Sequence, residues 1–222
     1  MSYFVTGTDT GVGKTLISCA LLHGFAAQSK RVAGMKPVAA GCNPGEQNED
    51  VLRLQAAGNV RADFGQVNPY RFAPAVAPHL AAQLAGVSID VGHILESYSA
   101  LAGQAEVLIV EGVGGFLVPL NDGQDGGELA RQLGLPVILV VGMRLGCLNH
   151  ALLTVEAIKQ RGLTLAGWVA NIVDPRMAMI EQNIAALHQR IAAPLLGTVP
   201  YLPEADARVA ARQLHLKLLD QV

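Results

Sequence analysis

The stretch that decides the fold is Gly7-Thr8-Asp9-Thr10-Gly11-Val12-Gly13-Lys14-Thr15, which lies between two patterned segments. The apolar run 3–6 before it predicts a strand, and the helical pattern over 16–28 after it predicts a helix. A glycine loop in this context lets backbone N–H groups and a helix N-terminus surround a phosphate. We therefore expect Lys14 to reach the β- and γ-phosphates of a nucleotide and the Thr15 hydroxyl to bind Mg²⁺.

The loop departs in one respect from the usual G-x-x-x-x-G-K-[ST] pattern. Counting back from Lys14, the first glycine would fall at Thr8, but it stands at Gly7, so the loop is one residue longer. The alternative is a chance Gly-Lys-Thr in an ordinary strand-to-helix turn, and the flanking strand and helix favour the phosphate loop.

The composition limits the class of protein. The chain has 222 residues, 51% hydrophobic and 15% charged, with a net charge of −2, which predicts one α/β domain spanning 1–222. A chain without a basic stripe is not expected to bind nucleic acid. Cys19, Cys42 and Cys147 are too far apart for a C-x-x-C metal pair or a disulfide framework, which suits the cytoplasm. We expect no leader peptide and no membrane span.

Buried apolar runs alternate with helical patterns along the rest of the chain. Strands are predicted at 31–35, 107–111, 137–141, 165–170 and 195–199. Helices are predicted at 50–57, 89–101, 148–161, 177–191 and 206–219, with irregular segments at 40–50 and 64–78. This alternation is typical of a parallel sheet with helices on both faces, and with the phosphate loop it predicts a P-loop NTPase-like fold.

Polar residues close several predicted strands at the edge where such sheets bind ligands. Glu111 ends an apolar strand, where it could bind Mg²⁺ or orient water, or only cap the next turn. Lys36 ends the second strand, where it could stabilise charge on a transferring phosphoryl group, or only be solvated.

Two further polar residues are open to either interpretation on local grounds. Asp50 stands at a predicted helix start, where it could serve as a ligand or as an N-cap. Asn171 could hydrogen-bond a purine edge or be an ordinary turn residue.

Taken together, the motifs along the chain resemble the dethiobiotin synthetases. The similarity includes the long loop and covers nearly the whole chain. It is carried by Thr6-Gly7-Thr8-Asp9-Thr10, Val12-Gly13-Lys14-Thr15, Lys36-Pro37-Val38-Ala39, Val67-Asn68-Pro69-Tyr70, Pro78-His79, Val110-Glu111-Gly112-Val113-Gly114-Gly115, Pro136-Val137-Ile138-Leu139-Val140, Leu145-Gly146-Cys147-Leu148-Asn149-His150-Ala151 and Gly167-Trp168-Val169-Ala170-Asn171.

The resemblance implies an ATP-dependent cyclo-ligase of biotin biosynthesis. An amine of 7,8-diaminononanoate takes up CO2, supplied as CO2 or bicarbonate, and becomes a carbamate. The carbamate oxygen attacks the γ-phosphate of ATP and forms a carbamic-phosphoric anhydride. The second amine then displaces phosphate and closes the ring, which leaves dethiobiotin and ADP. Positioning and charge neutralisation are the main demands of such a reaction.

The resemblance also implies roles for individual residues. Lys36 and Lys14 are the catalytic residues, and Thr15, Asp50 and Glu111 bind Mg²⁺. The nucleotide-binding residues are Gly11, Val12, Gly13, Lys14, Thr15, Leu16, Asp50, Glu111, Gly112, Val113, Gly114, Asn171, Ile172, Pro200, Tyr201 and Leu202. The substrate-binding residues are Thr10, Lys36, Ala40, Gly114, Gly146, Cys147, Leu148 and Asn149.

The start of the helix predicted at 148–161 carries a further expectation. Its first N–H groups have no intrahelical partners and form an anion site. In the family this helix start comes from the neighbouring subunit, so the resemblance implies a homodimer in which the substrate carboxylate lies at the interface. The alternative is a helix that only packs in the core, with Asn149 as an ordinary cap.

The chain departs from many relatives at two positions. Gly11 stands where they have Glu, and Ala40 stands where they have a Ser whose hydroxyl helps to bind the diamine. That contact would have to come from backbone or from a neighbour such as Cys42.

A different class of function remains open from the sequence. Partitioning and metal-delivery ATPases share this kind of fold but carry a signature lysine near the start of the loop. Asp9 occupies that position here, which counts against them. Related ligases or amidotransferases acting on another small carboxylate are the nearer alternative.

Overall fold

Six parallel strands form the main sheet of the computed structural model, which describes residues 1–42 and 48–221. The strands, in chain order, are β1 (Ser2–Gly7), β2 (Val32–Met35), β3 (Val38–Ala40), β4 (Tyr70–Phe72), β5 (Val107–Glu111), β6 (Val137–Met143), β7 (Leu165–Ile172) and β8 (Leu195–Val199). The main sheet has the order β2-β5-β1-β6-β7-β8, and β3 and β4 pair in a separate parallel sheet. Since all six strands run the same way, their carboxyl ends meet at one edge.

Helices connect the strands and cover both faces of the sheet. They are α1 (Lys14–Ala26), α2 (Glu49–Ala57), α3 (Phe64–Val67), α4 (Pro78–Leu84), α5 (Val91–Ala102), α6 (Gly126–Leu133), α7 (Cys147–Gln160), α8 (Ile180–His188) and α9 (Ala207–Ala211), followed by a 3₁₀ helix, Leu216–Gln221. None of the helices in the described ranges has the length and apolar character needed to cross a bilayer.

The two faces are built by the alternation of side chains along buried strands. Tyr3 and Val5 point to the face covered by α1 and α9, where Tyr3 stacks on Phe25 with ring centroids 6.2 Å apart. Phe4, between them, points to the opposite face, which α5 and α6 cover. Strands buried on both faces read as continuous apolar runs, which is why the sequence predicts them well.

The predicted P-loop NTPase-like architecture is confirmed, and three local predictions were wrong. Residues 64–78, predicted to be irregular, contain α3 and β4. The helix predicted over 206–219 is the single turn α9 and a separate 3₁₀ helix. The helix predicted over 177–191 is the shorter α8. The predicted loop 40–50 falls partly on 43–47, outside the described residues.

Candidate active site

The glycine loop joins β1 to α1, as predicted, and Gly13 is the N-cap of α1 with φ 90° and ψ 28°. Only glycine adopts this left-handed conformation without strain. A Cβ on Gly13 would also lie 2.2 Å from Nδ2 of Asn171. Asn171, at the end of β7, donates from Nδ2 to the carbonyl of Val12 at 2.8 Å. The loop is therefore held from a strand that is not adjacent to β1.

Lys14 is the first residue of α1, and its side chain is almost completely buried at the edge of the sheet. Its Nζ donates to the backbone carbonyl of Asp9 at 3.1 Å, so the lysine lies across the loop. Burial lowers the pKa of Lys14 to about 8, although nearby Glu111 opposes this change. An ammonium held in a poorly solvated position binds an incoming phosphate strongly.

Lys36, Asp50, Glu111 and Thr15 come together from four separate parts of the chain. Nζ of Lys36 donates to Oε1 of Glu111 at 2.7 Å and to Oδ2 of Asp50. Oγ1 of Thr15 donates to the same Oε1 of Glu111 at 2.8 Å. Glu111 is fully buried and Lys36 is 5% exposed, so this ion pair is taken out of water, whereas the Asp50 side chain is partly exposed. The alternative of a solvated strand-end lysine does not fit this geometry.

The protonation states in this cluster follow from its geometry. Burial alone would lower the pKa of Lys36, but the carboxylates of Glu111 and Asp50 hold that pKa above its ordinary value. Burial alone would raise the pKa of Asp50, but the Lys36 ammonium holds that pKa below its usual range. Lys36 is therefore an ammonium and Asp50 a carboxylate at neutral pH.

The donor set in this cluster fits a magnesium ion. Both hydrogen bonds to Glu111 go to Oε1, and the buried Oε2 has no hydrogen-bond partner among the described residues. A carboxylate oxygen left free beside a second carboxylate and a threonine hydroxyl offers the hard ligands that Mg²⁺ prefers. Within 1–42 and 48–221 no group of three His, Cys, Asp or Glu side chains could hold a metal alone. Phosphate oxygens and waters would have to complete the coordination.

A cleft of about 450 Å³ opens over the loop and this cluster, within the size range of ligand sites. The predicted residues that line it are Thr10, Gly11, Gly13, Lys14, Thr15, Leu16, Lys36, Ala40, Asp50, Glu111, Val113, Gly114, Asn171, Ile172, Tyr201 and Leu202. The lining also contains Arg53, Val173 and Ala205, which were not predicted from the sequence. The only feature of the sequence that could have indicated them is that each lies close in the chain to a predicted residue.

Three predicted nucleotide-binding residues do not line this cleft within the described chain: Val12, Gly112 and Pro200. Val12 is buried in the core beneath the loop, where its carbonyl accepts the bond from Asn171. Gly112 follows β5, and its N–H donates to the carbonyl of Val5 at 2.9 Å. Val12 therefore supports the glycine loop through its carbonyl, and Gly112 supports the end of β5 through its N–H.

The predicted substrate residues fall into two groups. Thr10, Lys36, Ala40 and Gly114 line the cleft, whereas Gly146, Cys147, Leu148 and Asn149 do not line it within the described part of the same chain. Gly146 is the N-cap of α7 with φ 95°, and no side-chain cap was found for this helix in the described residues. Cys147 is buried, Leu148 packs partly on the core near α8, and Asn149 is exposed.

An ion pair joins the glycine loop to the loop before α7. Nη2 of Arg144 donates to Oδ2 of Asp9 at 2.5 Å. The other oxygen of Asp9 accepts from the N–H of Thr10 at 2.7 Å. The carbonyl of Arg144 accepts from the N–H of Cys147 at 3.0 Å. Asp9, where the switch ATPases would carry a lysine, is therefore part of the scaffold of this loop.

Comparison with known proteins gives relatives over nearly the full chain. A family model described as an AAA domain matches residues 1–209. The ATP-dependent dethiobiotin synthetase BioD of Nitrosospira multiformis is 56% identical over 93% of this chain and 91% of its own length. The enzyme of the same name from Aromatoleum aromaticum is 54% identical over 97% of both chains.

Solved structures give a more distant likeness. The MinD cell division protein of Aquifex aeolicus superposes with a TM-score of 0.56 over 94% of this chain and 86% of its own, at 15% identity. MinD of Pyrococcus horikoshii, complexed with Mg-ADP, gives a TM-score of 0.51 over 100% of this chain and 96% of its own, at 16% identity. At this identity the likeness shows the fold alone.

Proposed function

The chain belongs to the family of ATP-dependent dethiobiotin synthetases, ATP-dependent ligases of biotin biosynthesis, and we propose that the cleft beside Lys14 is where its reaction takes place. The substrates are ATP, CO2 or bicarbonate, and 7,8-diaminononanoate. One amine takes up CO2 as a carbamate, with loss of a proton. The carbamate oxygen displaces ADP from the γ-phosphate, and the second amine then attacks the carbonyl carbon, expels phosphate and closes the cyclic urea.

The glycine loop and the two lysines bind and orient the reacting groups. Backbone N–H groups of Gly11, Gly13 and the first turn of α1 surround the phosphates, and Lys14 donates to the β- and γ-phosphates. Lys36 lies in the wall of the same cleft as a buried ammonium and stabilises charge on the γ-phosphoryl group as it transfers. A buried ammonium is effective here because little water screens it.

Thr15, Asp50 and Glu111 are the residues that would hold Mg²⁺. The free Oε2 of Glu111 and the closeness of the three side chains support this assignment. Bound there, Mg²⁺ supplies positive charge to the β- and γ-phosphate oxygens. Lys36 contacts both carboxylates, and we propose that it keeps an ammonium within reach of the same phosphoryl group.

The remaining lining residues divide between the base and the diamine. Asn171 and Ile172 at the end of β7, with the loop Pro200, Tyr201 and Leu202, surround the adenine, supported by the places of Asn171, Ile172, Tyr201 and Leu202 in the cleft wall. Val113 and Gly114 continue the nucleotide site from the end of β5, and Gly112 supports them from outside the lining through its bond to Val5. Thr10, Ala40 and Gly114 contact the diamine. Because Ala40 has no hydroxyl, backbone groups or a neighbour such as Cys42 must supply that polar contact.

The carboxylate of the diamine is held at the start of α7 of a second subunit. Gly146 to Asn149 do not line the cleft of their own chain within the described residues. The N–H of Cys147 donates to the carbonyl of Arg144, and the N–H groups of Leu148 and Asn149 in the first turn of α7 are the ones we propose for the anion site. An isologous homodimer in which each α7 reaches the partner's cleft would make two equivalent sites. The exposed Leu145 and Leu153 near this helix start favour an interface there.

The free thiols suit the cytoplasm. Cys19, Cys42 and Cys147 are all buried and unpaired in the described structure. Buried free cysteines are typical of proteins kept in a reducing compartment. We therefore place the reaction in the cytoplasm, with no nucleic-acid or membrane partner.

The observation that carries the proposal is the buried contact of Lys36 with Glu111, beside Thr15 and the partly exposed Asp50. The test is phosphate release measured with ATP, Mg²⁺, the diamine and bicarbonate, omitting one component at a time. We expect release to require all of them. Lys36→Ala should lower kcat by about a hundredfold or more, because one charge-stabilising contact in a transition state contributes roughly that much.

ATP affinity should change far less than kcat in the Lys36→Ala enzyme. Folding is checked by circular dichroism and ATP binding by calorimetry. Release that continues without the diamine would favour a switch ATPase, and near-normal turnover in folded Lys36→Ala would remove the lysine from the mechanism.

A further inference from the structure

The segment between α3 and β4 holds the backbone at Lys36. β2 is the edge strand of the main sheet, and its pairing with β5 runs from Val32 to Met35. Lys36 and Pro37 then lead the chain to β3. Beyond Met35, the N–H of Lys36 donates to the carbonyl of Val67 at 2.9 Å, and the N–H of Tyr70 donates to the carbonyl of Pro37 at 3.1 Å. Lys36 is therefore held by this segment at the point where the main sheet ends.

Asn68 makes the central contact of this segment. Its Nδ2 donates to the carbonyl of Lys36 at 2.7 Å and to the carbonyl of Tyr70 at 3.0 Å. Since both partners are carbonyls, which only accept, the amide nitrogen must face them. Asn68 is 0% exposed, and its Oδ1 has no hydrogen-bond partner among the described residues. Burying an amide oxygen without a hydrogen-bond partner costs free energy of folding. Packing alone therefore does not explain why an asparagine occupies position 68.

We propose that Asn68 is a positioning residue, which fixes the backbone of Lys36 so that the ammonium reaches the transferring phosphoryl group. This inference rests on the proposed role of Lys36. The side chain of Asn68 donates two hydrogen bonds, one to each carbonyl, and so links Lys36 to the first residue of β4. No apolar residue of similar size can make these two hydrogen bonds.

The hydrogen bond from Asn68 to Lys36 matters because of where Lys36 lies. Its Nζ lies 2.7 Å from Oε1 of the buried Glu111 and also contacts Asp50, so its place is set by two carboxylates at the wall of the cleft. A shift of the backbone by a fraction of an ångström moves the ammonium with it. Phosphoryl transfer depends on positioning, and a displacement of about 1 Å can cost roughly a hundredfold in rate.

The test variant is Asn68→Asp, which keeps the size of the side chain, removes both donors and sets an oxygen against two carbonyls. Asn68→Ser is the milder variant, because one hydroxyl can still donate to one carbonyl. We expect kcat to fall by about ten- to a hundredfold in Asn68→Asp and by less in Asn68→Ser. The KM for ATP should stay within about twofold, because the glycine loop is untouched.

Asn59 provides the matched control at the other end of β2. Its Nδ2 donates to the carbonyl of Lys30 at 2.9 Å, and its Oδ1 accepts from the N–H of Val32 at 2.8 Å. Asn59→Ala therefore removes two backbone contacts of the same strand, far from the cleft lining. We expect a lower melting temperature with an unchanged kcat at a temperature where the variant is folded.

Steady-state phosphate release and thermal melts on all variants test whether Asn68 positions Lys36. A drop in kcat for both Asn68 variants, with constant KM for ATP and no drop for Asn59→Ala, supports the inference. Normal kcat in folded Asn68→Asp, or in Asn68→Ser if the aspartate does not fold, overturns it. An equal drop in Asn59→Ala overturns it too. Full activity in Lys36→Ala would instead refute the proposed role of the lysine, which keeps the two failures distinct.

Discussion

Helices α1 and α7 begin in the same way but in different surroundings. Gly13 caps α1 with φ 90°, Gly146 caps α7 with φ 95°, and neither helix has a side-chain cap in the described residues. The start of α1 lies in the cleft, with Lys14 buried beside it. The start of α7 lies at the surface, where neighbouring Leu145 is 94% exposed.

The difference is in what the described chain places around each helix start. Around the start of α1, Asn171 holds the loop, and Lys14, Thr15 and Glu111 converge. The start of α7 lies outside the cleft, and of its first-turn N–H groups that of Cys147 donates to the carbonyl of Arg144. The same local backbone therefore occurs in two surroundings, and the proposed subunit interface would give the second one a role.

The first prediction is the loss of nucleotide binding in Gly13→Ala, the largest effect expected. The new Cβ would lie 2.2 Å from Nδ2 of Asn171, so Asn171 must give up its bond to Val12 or the loop must move. The left-handed φ adds about 1–2 kcal/mol of strain. We expect ATP affinity, measured by calorimetry, to fall by more than about a hundredfold, since strain and lost positioning act together. ATP binding within tenfold of the parent would show that the loop adapts.

The second prediction uses Leu145→Asp to break the proposed interface. Leu145 is exposed beside Gly146, so a charge there does not disturb the core, unlike a change at the partly buried Leu148. The aspartate would repel the diamine carboxylate and put a charge in an apolar contact. We expect the KM for the diamine to rise by about tenfold or more, the cost of roughly 1.4 kcal/mol. ATP affinity in each subunit should not change.

Sedimentation and the neutral variant Leu145→Asn sharpen this test. The asparagine removes apolar surface without adding charge, so it should weaken dimerisation with a smaller effect on the diamine. A protein that sediments as a monomer and is fully active would refute the shared site. So would a substrate complex whose carboxylate contacts only its own chain.

The third prediction, Gly146→Ala, should have the smallest effect. Apart from its own stretch of backbone, no heavy atom of residues 1–42 and 48–221 lies within 4 Å of the position that a Cβ would take, so the strain comes from the left-handed φ. A cost of about 1 kcal/mol lowers the melting temperature of a chain this long by roughly 2–4 °C. ATP affinity should stay unchanged and the KM for the diamine should rise only a few-fold. A loss of ATP binding equal to that of Gly13→Ala would remove the contrast between the two helix starts.

The sequence predicted the parts of this molecule that follow a simple pattern. The sequence predicts the central strands β1, β5, β6 and β7, because strands buried on both faces are continuous apolar runs. The glycine loop and Lys14 were readable because phosphate binding needs that residue order. Glu111 was readable as a candidate because it ends such a strand.

Other parts depend on contacts that no local pattern encodes. β3 and β4 have three residues each, too few to show an alternation. The contact of Lys36 with Asp50 joins the residue after β2 to the first turn of α2, so local reasoning alone left Asp50 open between ligand and cap. Asn68 was visible only as part of a family motif, because its role lies in two carbonyls that the fold brings to it. The apolar pattern near the C-terminus could not separate a 3₁₀ helix from an α-helix.

The bond from Asn171 to the carbonyl of Val12 links the two ends of the nucleotide site. With the base contact proposed for Asn171, a single side chain would touch both the base and the loop around the phosphates. A base that displaces this amide would bind less well, and it would also disturb the loop that holds the phosphates. Discrimination between nucleotides would therefore appear in the turnover rate at saturation, and a guanine nucleotide at high concentration would still react slowly.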